Sequence, residues 1–387
     1  MSTPAWQFHN PVKITFEAGA IDQLGEYLEG ERAVLVTSPG FRRRGVVDRI
    51  AKALDIRLVA VIDDVDPNPD VLKVDEQGRR LREHDPDVLI ALGGGSSMDT
   101  AKGLARLLAQ PVDRTLAGHF RDGEAFDDTP ALPVAAIPTT SGTGAEVTPF
   151  GTIWDFELEK KYSVTGDDLY SAFAILDPEL TLGLPEEVTI SSGLDAVSHA
   201  LESAWNKAAS PVTLSFVAKS LQFSLKALPK LKQQPKDLAA RADMMQASLL
   251  SGLAISQTRT ALAHSISYPL TTAFELPHGF ACSFTLPPLL AFNAEADDGR
   301  LIHLARSVGH EDIPAFRDAL DAMFQEVGFP GFFARYVPDR DAAMALTDRM
   351  IKPGRADNNL REANLEDVRR IVTEAMHSLD PKRYPAD

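Results

Sequence analysis

Up to about residue 185, short β-branched runs alternate with helical patterns, and beyond Leu184-Pro185 strand-like runs nearly vanish. This change of texture constrains the fold more than any other feature of the chain. Arg32 to Thr37, Leu58 to Ile62 and Asp87 to Leu92 read as buried strands, and Pro133 to Ile137, Thr152 to Trp154 and Ala172 to Leu176 form a second group. Val46 to Leu54 and Pro69 to His84 lie between strands and place apolar residues at helical spacing. Such alternation requires parallel strands joined by helical crossovers. The second half carries long helical patterns at Pro211 to Leu228, Leu238 to Ile255 and Asp367 to Met376. The expectation is an α/β domain over residues 1–185 and an all-α domain over 186–387.

The 387 residues suffice for two buried cores. Lys and Arg total 39 against 55 Asp and Glu, a net charge of -16. That excess argues against nucleic acid or an anionic membrane as the main partner, and an anionic substrate must find a local basic pocket. The single cysteine, Cys282, rules out an intrachain disulfide and thiolate-rich metal sites. No run of about 18 apolar residues spans a bilayer, and the expectation from Met1 to Pro4 is that no signal peptide begins there. The expected compartment is the cytoplasm.

Two loops follow strands and suit phosphate and ribose. Gly93-Gly94-Gly95-Ser96-Ser97-Met98-Asp99 leaves the strand ending at Leu92 and leads into a helix. Glycines admit a pyrophosphate close to the backbone, and the helix N-terminus aims free N–H groups at it. Asp99 is placed to cap and orient this loop, although a plain strand–helix turn is the bland alternative. Pro138 to Thr148 follows a second strand and is rich in glycine and small hydroxyls, which suit ribose and nicotinamide. Asp63 to Pro69 is a turn-rich loop after a strand, where ligand contacts concentrate in such sheets.

Asp195 and His199 are four residues apart in a helical stretch, so both face one side and can grip one divalent cation. His264 and His278 can join them only if the chain turns back between the two. Pro269, Pro277 and Gly279 make such a break the expectation. Singly, each histidine is more often an ordinary packed side chain; it is the grouping that points to metal.

Together these motifs resemble the iron-containing (group III) alcohol dehydrogenase family. The carrying segments are Gly93–Ser96 with Asp99 and Lys102, Pro138–Thr148, Ile175–Thr181, Gly193–Ala196 with His199 and Glu202, His264, and Pro277-His278-Gly279. The resemblance covers nearly the whole chain. It implies a Rossmann-like N-terminal domain, a helical C-terminal domain, and Fe²⁺ or Zn²⁺ held by Asp195, His199, His264 and His278. Three nitrogens and one oxygen suit either metal. It further implies NAD(H) or NADP(H) lined by Asn68, Gly94, Gly95, Ser96, Thr139, Thr140, Thr143, Thr148 and Lys161. The ion would act as a Lewis acid on a substrate oxygen during hydride transfer. A homodimer or larger assembly is implied as well.

Three departures from the family pattern refine this. Many members carry an acid after the first cofactor-domain strand, where it repels a 2′-phosphate. Here Ser38 stands there and Arg42-Arg43-Arg44 follow, so NADP(H) is accepted, unless the arginines are merely a solvated cluster. Many members carry a second histidine four residues after the third ligand. Tyr268 replaces it, either as a proton relay or as packing. Arg259, with Gln257 nearby, stands where a small residue is usual, a detail similar to the phosphonoacetaldehyde-reducing branch. Arg355 and Arg361 add to that similarity. Arg259 would then bind an anionic head group bidentately; the alternative is a surface ion pair.

The leading expectation is an aldehyde reductase for a small substrate, with a phosphonate, sulfonate or carboxylate group in the anionic case. A metal- and NAD-dependent lyase or cyclase of the dehydroquinate synthase type is the rival, distinguished by catalytic recycling of its cofactor. A structural metal protein is the third class. It is disfavoured because a cofactor loop would have no purpose there.

Overall fold

The computed structural model describes residues 5–28 and 30–379; Met1 to Pro4, read above for a leader, lie outside them. The strands are β1 (Lys13–Phe16), β2 (Ala33–Thr37), β3 (Leu58–Ile62), β4 (Val88–Gly93), β5 (Val134–Pro138), β6 (Phe150–Asp155), β7 (Lys160–Thr165) and β8 (Phe173–Leu176). Two compact units emerge. Among the described residues, one comprises Asn10–Thr140 and Ala145–Thr181; the other gathers residues 5–9, Ser141–Gly144 and residues 182–379.

The first unit is built on a six-stranded parallel sheet in the order β1-β8-β5-β4-β2-β3. Strands β2, β4 and β5 are buried at every position, as expected for parallel strands covered on both faces. Leu35, Ile90, Leu92, Ile137 and Ile175 form one core layer with Ile50 and Leu54 of the Val46–Leu54 helix. From β2 the chain first adds β3 on one side and later β4 on the other. The carboxyl ends of β2 and β4 therefore flank the point where strand order reverses, the usual ligand crevice of open α/β sheets.

Two strands are absent from the sequence reading. β1 is a mostly exposed edge strand, and β7 is polar, so neither carries a buried run. The expected strand around Thr152–Trp154 forms, but it pairs antiparallel with β7 in a separate hairpin rather than entering the parallel sheet. Its alternating burial marks one packed face and one open face, the signature of an antiparallel ribbon.

The second unit is helical. Glu186–Ala204, Pro211–Gln233 and Leu238–Thr258 are its longest helices and pack on one another. Ser210 and Thr213 form a capping box ahead of Pro211, and Asp237 accepts the Ala240 N–H; each cap stabilises a start by about 1 kcal/mol. Trp205, Phe280, Phe284, Phe316, Phe324 and Phe329 fill the core. The break expected between His264 and His278 falls at Glu275, in left-handed backbone, while Pro269 sits inside the Leu262–Phe274 helix. Pro277 instead precedes a new short helix, His278–Ser283.

No helix among the described residues is long and apolar enough to cross a membrane.

Candidate active site

The Glu186–Ala204 helix carries Asp195, His199 and Glu202 at spacings of four and three residues, so all three share one face. The turn at Glu275 returns the chain, and the short helix lies almost in contact with the first. A Cβ on Gly279 would sit 1.8 Å from the Ser191 carbonyl oxygen, so only glycine permits this approach. His278 is thereby brought beside Asp195.

Asp195 Oδ1 is 3.6 Å from His199 Nε2, 3.8 Å from His264 Nε2 and 3.8 Å from His278 Nε2. The outer ring nitrogens explain why the inner ones converge. His264 Nδ1–H donates to Glu202 Oε2 at 2.5 Å, and the His264 backbone N–H donates to Glu202 Oε1 at 3.0 Å. His199 Nδ1–H donates to the Gly142 carbonyl at 3.3 Å. These partners fix both tautomers and leave each Nε2 as a lone-pair donor. His264 Nε2 is buried with no hydrogen-bond partner among the described residues. A buried polar atom left so is costly unless something binds it. The donor set thus fits a divalent cation.

The electrostatics agree. Burial works to raise the Asp195 carboxyl, but its charge interactions with His199, His278 and His264 prevail and hold it below the usual carboxylate range. Burial pushes the His199 imidazole down, towards the neutral form a ligand needs. Burial also works to raise Glu202, yet the His264 charge and its hydrogen bonds keep it lowered. Another grouping of donor atoms, all within 4.8 Å of one another, takes Cys282 in place of His199. The thiol is the poorer ligand. Burial pushes it well up, and its S–H donates to Asp195 Oδ1 at 3.2 Å.

Glu202 and Cys282 were given no role in the sequence. The signal for Glu202 was present, since it lies seven residues after Asp195 on the same helix face.

In the other unit, the glycine loop sits at the carboxyl end of β4 and opens the Gly95–Leu108 helix. A Cβ on Gly94 would stand 3.0 Å from Thr140 Oγ1, so the two loops are adjacent here. The Thr139 N–H donates to the Gly93 carbonyl at 3.0 Å. The Asn68 N–H donates to Ser96 Oγ at 3.2 Å, and Asn68 itself is in left-handed backbone. Gly94, Gly95, Ser96, Asn68, Thr139 and Thr140 therefore cluster at one end of the sheet. Asp99 does not cap the loop. No side chain caps that helix, and Asp99 accepts the Thr152 N–H of the hairpin. Thr148 accepts from Lys102, and Lys161 lies over the Trp154 ring at 4.8 Å. Thr143 belongs to the Ser141–Gly144 stretch that groups with the helical unit.

Ser38 starts the Pro39–Arg43 helix after β2. Arg42 pairs with Asp63, Arg44 stacks 4.3 Å over Phe41, and Arg43 is exposed. Burial pushes the Tyr268 phenol up to about 12, which argues against a proton relay near pH 7 and for a packing role. Arg361 pairs with Glu295 at 3.0 Å and stacks on Phe292, so it is already engaged.

Comparisons with known proteins follow the same division. The model of the iron-containing alcohol dehydrogenases matches residues 11–178, and that of the family's C-terminal region matches 189–376. The phosphonoacetaldehyde reductase of Streptomyces viridochromogenes is 35% identical over 308 residues, covering 79% of this chain and 76% of the relative. The sulfoacetaldehyde reductase of Bilophila wadsworthia is 31% identical over 383 residues, covering 92% of this chain and 95% of the relative. A crystal structure of the sulfoacetaldehyde reductase of Bifidobacterium kashiwanohense in complex with NAD+ superposes with a TM-score of 0.90 at 31% identity, covering 97% of this chain and 99% of that one. Two family models together span most of the sequence, and the chain belongs to the iron-containing alcohol dehydrogenase family.

Proposed function

We propose that this protein reduces short aldehydes with a nicotinamide cofactor at a metal centre made by Asp195, His199, His264 and His278. As a family member it is an oxidoreductase of the alcohol dehydrogenase class acting on small alcohols and aldehydes, with iron and NAD(H) as its cofactors. The observation that carries the ligand assignment is the convergence of three imidazole Nε2 atoms on Asp195 Oδ1 at 3.6 to 3.8 Å, with His264 Nε2 buried and without a hydrogen-bond partner among the described residues.

When bound, the ion supplies Lewis-acid polarisation of a substrate oxygen. The residues do the rest. Glu202 and the Gly142 carbonyl hold two imidazoles in the ligating tautomer. The division at residue 185 separates a dinucleotide domain from a metal domain. Asn68, Gly94, Gly95, Ser96, Thr139, Thr140, Thr143, Thr148 and Lys161 hold the dinucleotide, with Asp99 supporting the hairpin beside it. A bound nicotinamide would supply the hydride for the carbonyl carbon and solvent the proton for the oxygen, so that aldehyde, NAD(P)H and H⁺ would give alcohol and NAD(P)⁺. Ser38 carries no carboxylate to repel a 2′-phosphate, and Arg43 is exposed beside it, which supports use of NADPH as well as NADH. The substrates of the two relatives support an aldehyde with an anionic group.

The test is turnover of protein purified without oxygen, loaded with Fe²⁺ or Zn²⁺, and given NADH and NADPH in parallel. Oxidised cofactor should accumulate one for one with alcohol, and a chelator should abolish it. Catalytic recycling of the cofactor without net oxidation would favour the lyase reading; full metal occupancy without turnover of any short aldehyde would end this one.

A cytoplasmic homodimer completes the proposal. β1 ends the sheet with Ile14 39% and Phe16 36% exposed, an apolar edge that soluble proteins ordinarily cover. Sedimentation at micromolar concentration should give twice the 42.0 kDa chain mass, and Ile14→Lys should shift it towards the monomer. A wild-type monomer would remove the dimer.

A further inference from the structure

We infer that Arg259, Thr260 and Arg355 form the receptor for a tetrahedral oxyanion head group, phosphonate or sulfonate, on the aldehyde reduced at the His264 centre. The inference rests on the reading of that centre given above and adds the side of the site that selects the substrate.

Arg259 is the first observation. It ends the Leu238–Thr258 helix with φ 61 and ψ 177, a backbone region that is essentially reserved for glycine. Its main chain is well held. The N–H donates to the Ile255 carbonyl at 2.8 Å, and its carbonyl accepts from Asn206 Nδ2 at 3.2 Å. The side chain is exposed and, among the described residues, has no acceptor or carboxylate partner. A strained backbone carrying an arginine where glycine would relax it points to a task for the guanidinium.

Arg355 is the second observation. Its Nη1 donates to Thr260 Oγ1 at 2.7 Å, and its guanidinium lies 5.1 Å from the centroid of the Tyr268 ring. Two other guanidinium groups at similar or greater depth are well supplied with acceptors. Arg241 donates to the Pro235 carbonyl twice and to Thr189, and Arg82 donates to three carbonyls. Arg355 is half-buried yet has the Thr260 hydroxyl as its only hydrogen-bond acceptor and no carboxylate among the described residues. The chain has 55 acidic side chains against 39 basic ones, so an unneutralised cation at this depth is not for want of partners.

Thr260 joins the two. It follows Arg259 directly and accepts from Arg355, and its own O–H has no acceptor among the described residues. The loop bearing Arg355 is pinned. Ser265 Oγ donates to the Met350 carbonyl at 2.6 Å, the Lys352 N–H donates to Ser265 Oγ at 2.8 Å, and Asn358 Nδ2 donates to the Thr260 carbonyl at 2.8 Å. Thr260 stands two residues ahead of the Leu262–Phe274 helix, and Tyr268, against which the Arg355 guanidinium lies, is one turn beyond His264 in that helix, ~6 Å along its axis. That spacing suits a head group separated from its carbonyl by one or two carbons. Two guanidinium groups and a hydroxyl offer charge-assisted donors to three oxygens, a better match for phosphonate or sulfonate than for a planar carboxylate.

The experiment uses metal-loaded enzyme with sulfoacetaldehyde, phosphonoacetaldehyde, succinic semialdehyde and propanal. Arg355→Met should lower kcat/KM for the first two by about 10- to 150-fold, the range for a lost charge-assisted hydrogen bond, and change propanal by less than threefold. Arg259→Gly should act in the same direction on the anions while raising the thermal midpoint, because glycine relieves the backbone. A purely structural arginine would not give that opposed pair of shifts. Equal losses on propanal and on the anions would overturn the inference and leave the reductase reading intact. Absence of turnover on all four would count against the reductase reading; calorimetric binding of ethanesulfonate and methylphosphonate to wild type and Arg355→Met then decides the receptor by itself. Weaker binding in the variant supports it, and equal binding overturns it.

Discussion

His264→Ala should lower kcat/KM by roughly a thousandfold or more, because Lewis-acid stabilisation worth several kcal/mol is lost at 1.36 kcal/mol per decade. Metal content should fall with it, while dinucleotide binding, followed by quenching of intrinsic fluorescence, should stay near wild type. The reason lies in the geometry. His264 Nε2 has no hydrogen-bond partner among the described residues and faces Asp195 at 3.8 Å, so its lone pair is available to an ion. His264 is buried, and truncation also strands the Glu202 carboxylate, so a folding defect could mimic loss of metal. His278→Ala separates the two. The His278 side chain is 40% exposed, its removal opens no sealed cavity, and it should lose metal with little change in thermal midpoint. Glu202→Gln should fall between, at about 10- to 100-fold, since it disturbs the orientation of a ligand rather than removing one. Wild-type activity of His264→Ala in metal-free buffer would end the ligand assignment.

Much of this arrangement was legible in residues alone, and the reasons are physical. β4 shows in the sequence because a strand covered on both faces must be apolar throughout. The Asp195–His199 pair shows because a helix puts i and i+4 on one side. The approach of His278 does not show. It depends on where the chain turns, and left-handed Glu275 makes the turn while Pro269, the stronger breaker on paper, is absorbed in a helix. β7 hides because a hairpin strand with an open face is largely polar. Arg259 was noticed for its charge, but its real singularity is a backbone angle, which no residue type announces. The burial of Lys102, a residue already quoted for the family resemblance, hides for a different reason. A lysine in an amphipathic helix reads as a solvent-facing charge, and here it is buried completely.

That buried lysine gives the second large effect. Lys102 Nζ donates to the carbonyls of Ala145, Thr148 and Phe150 at 2.7, 2.6 and 3.0 Å, and to Thr148 Oγ1 at 3.2 Å. One ammonium on the Gly95–Leu108 helix thus fixes the end of the hydroxyl-rich loop, including Thr148, relative to the glycine loop that opens the same helix. Burial pulls the Lys102 pKa down to about 8, and burial pushes neighbouring Asp99 and Glu146 up to about 6 and about 7. The cluster is therefore held by its hydrogen bonds against a desolvation cost, and it fails when the central donor is removed. Lys102→Met keeps the chain length but leaves three carbonyls, the buried Glu146 and the half-buried Asp99 without their cation. The loss should be about 3–5 kcal/mol, as for breaking a buried charged network, and the thermal midpoint of the unit should drop by roughly 10 °C. The KM for NADH should rise more than the KM for aldehyde, because the displaced segment serves the cofactor loops, and metal content should stay near one ion per chain. Lys102→Arg should not rescue it, since a planar guanidinium cannot fit a cage shaped for a tetrahedral ammonium. A midpoint within 2 °C of wild type, or an NADH KM unchanged in folded Lys102→Met, would show that the loops hold their geometry without this lysine.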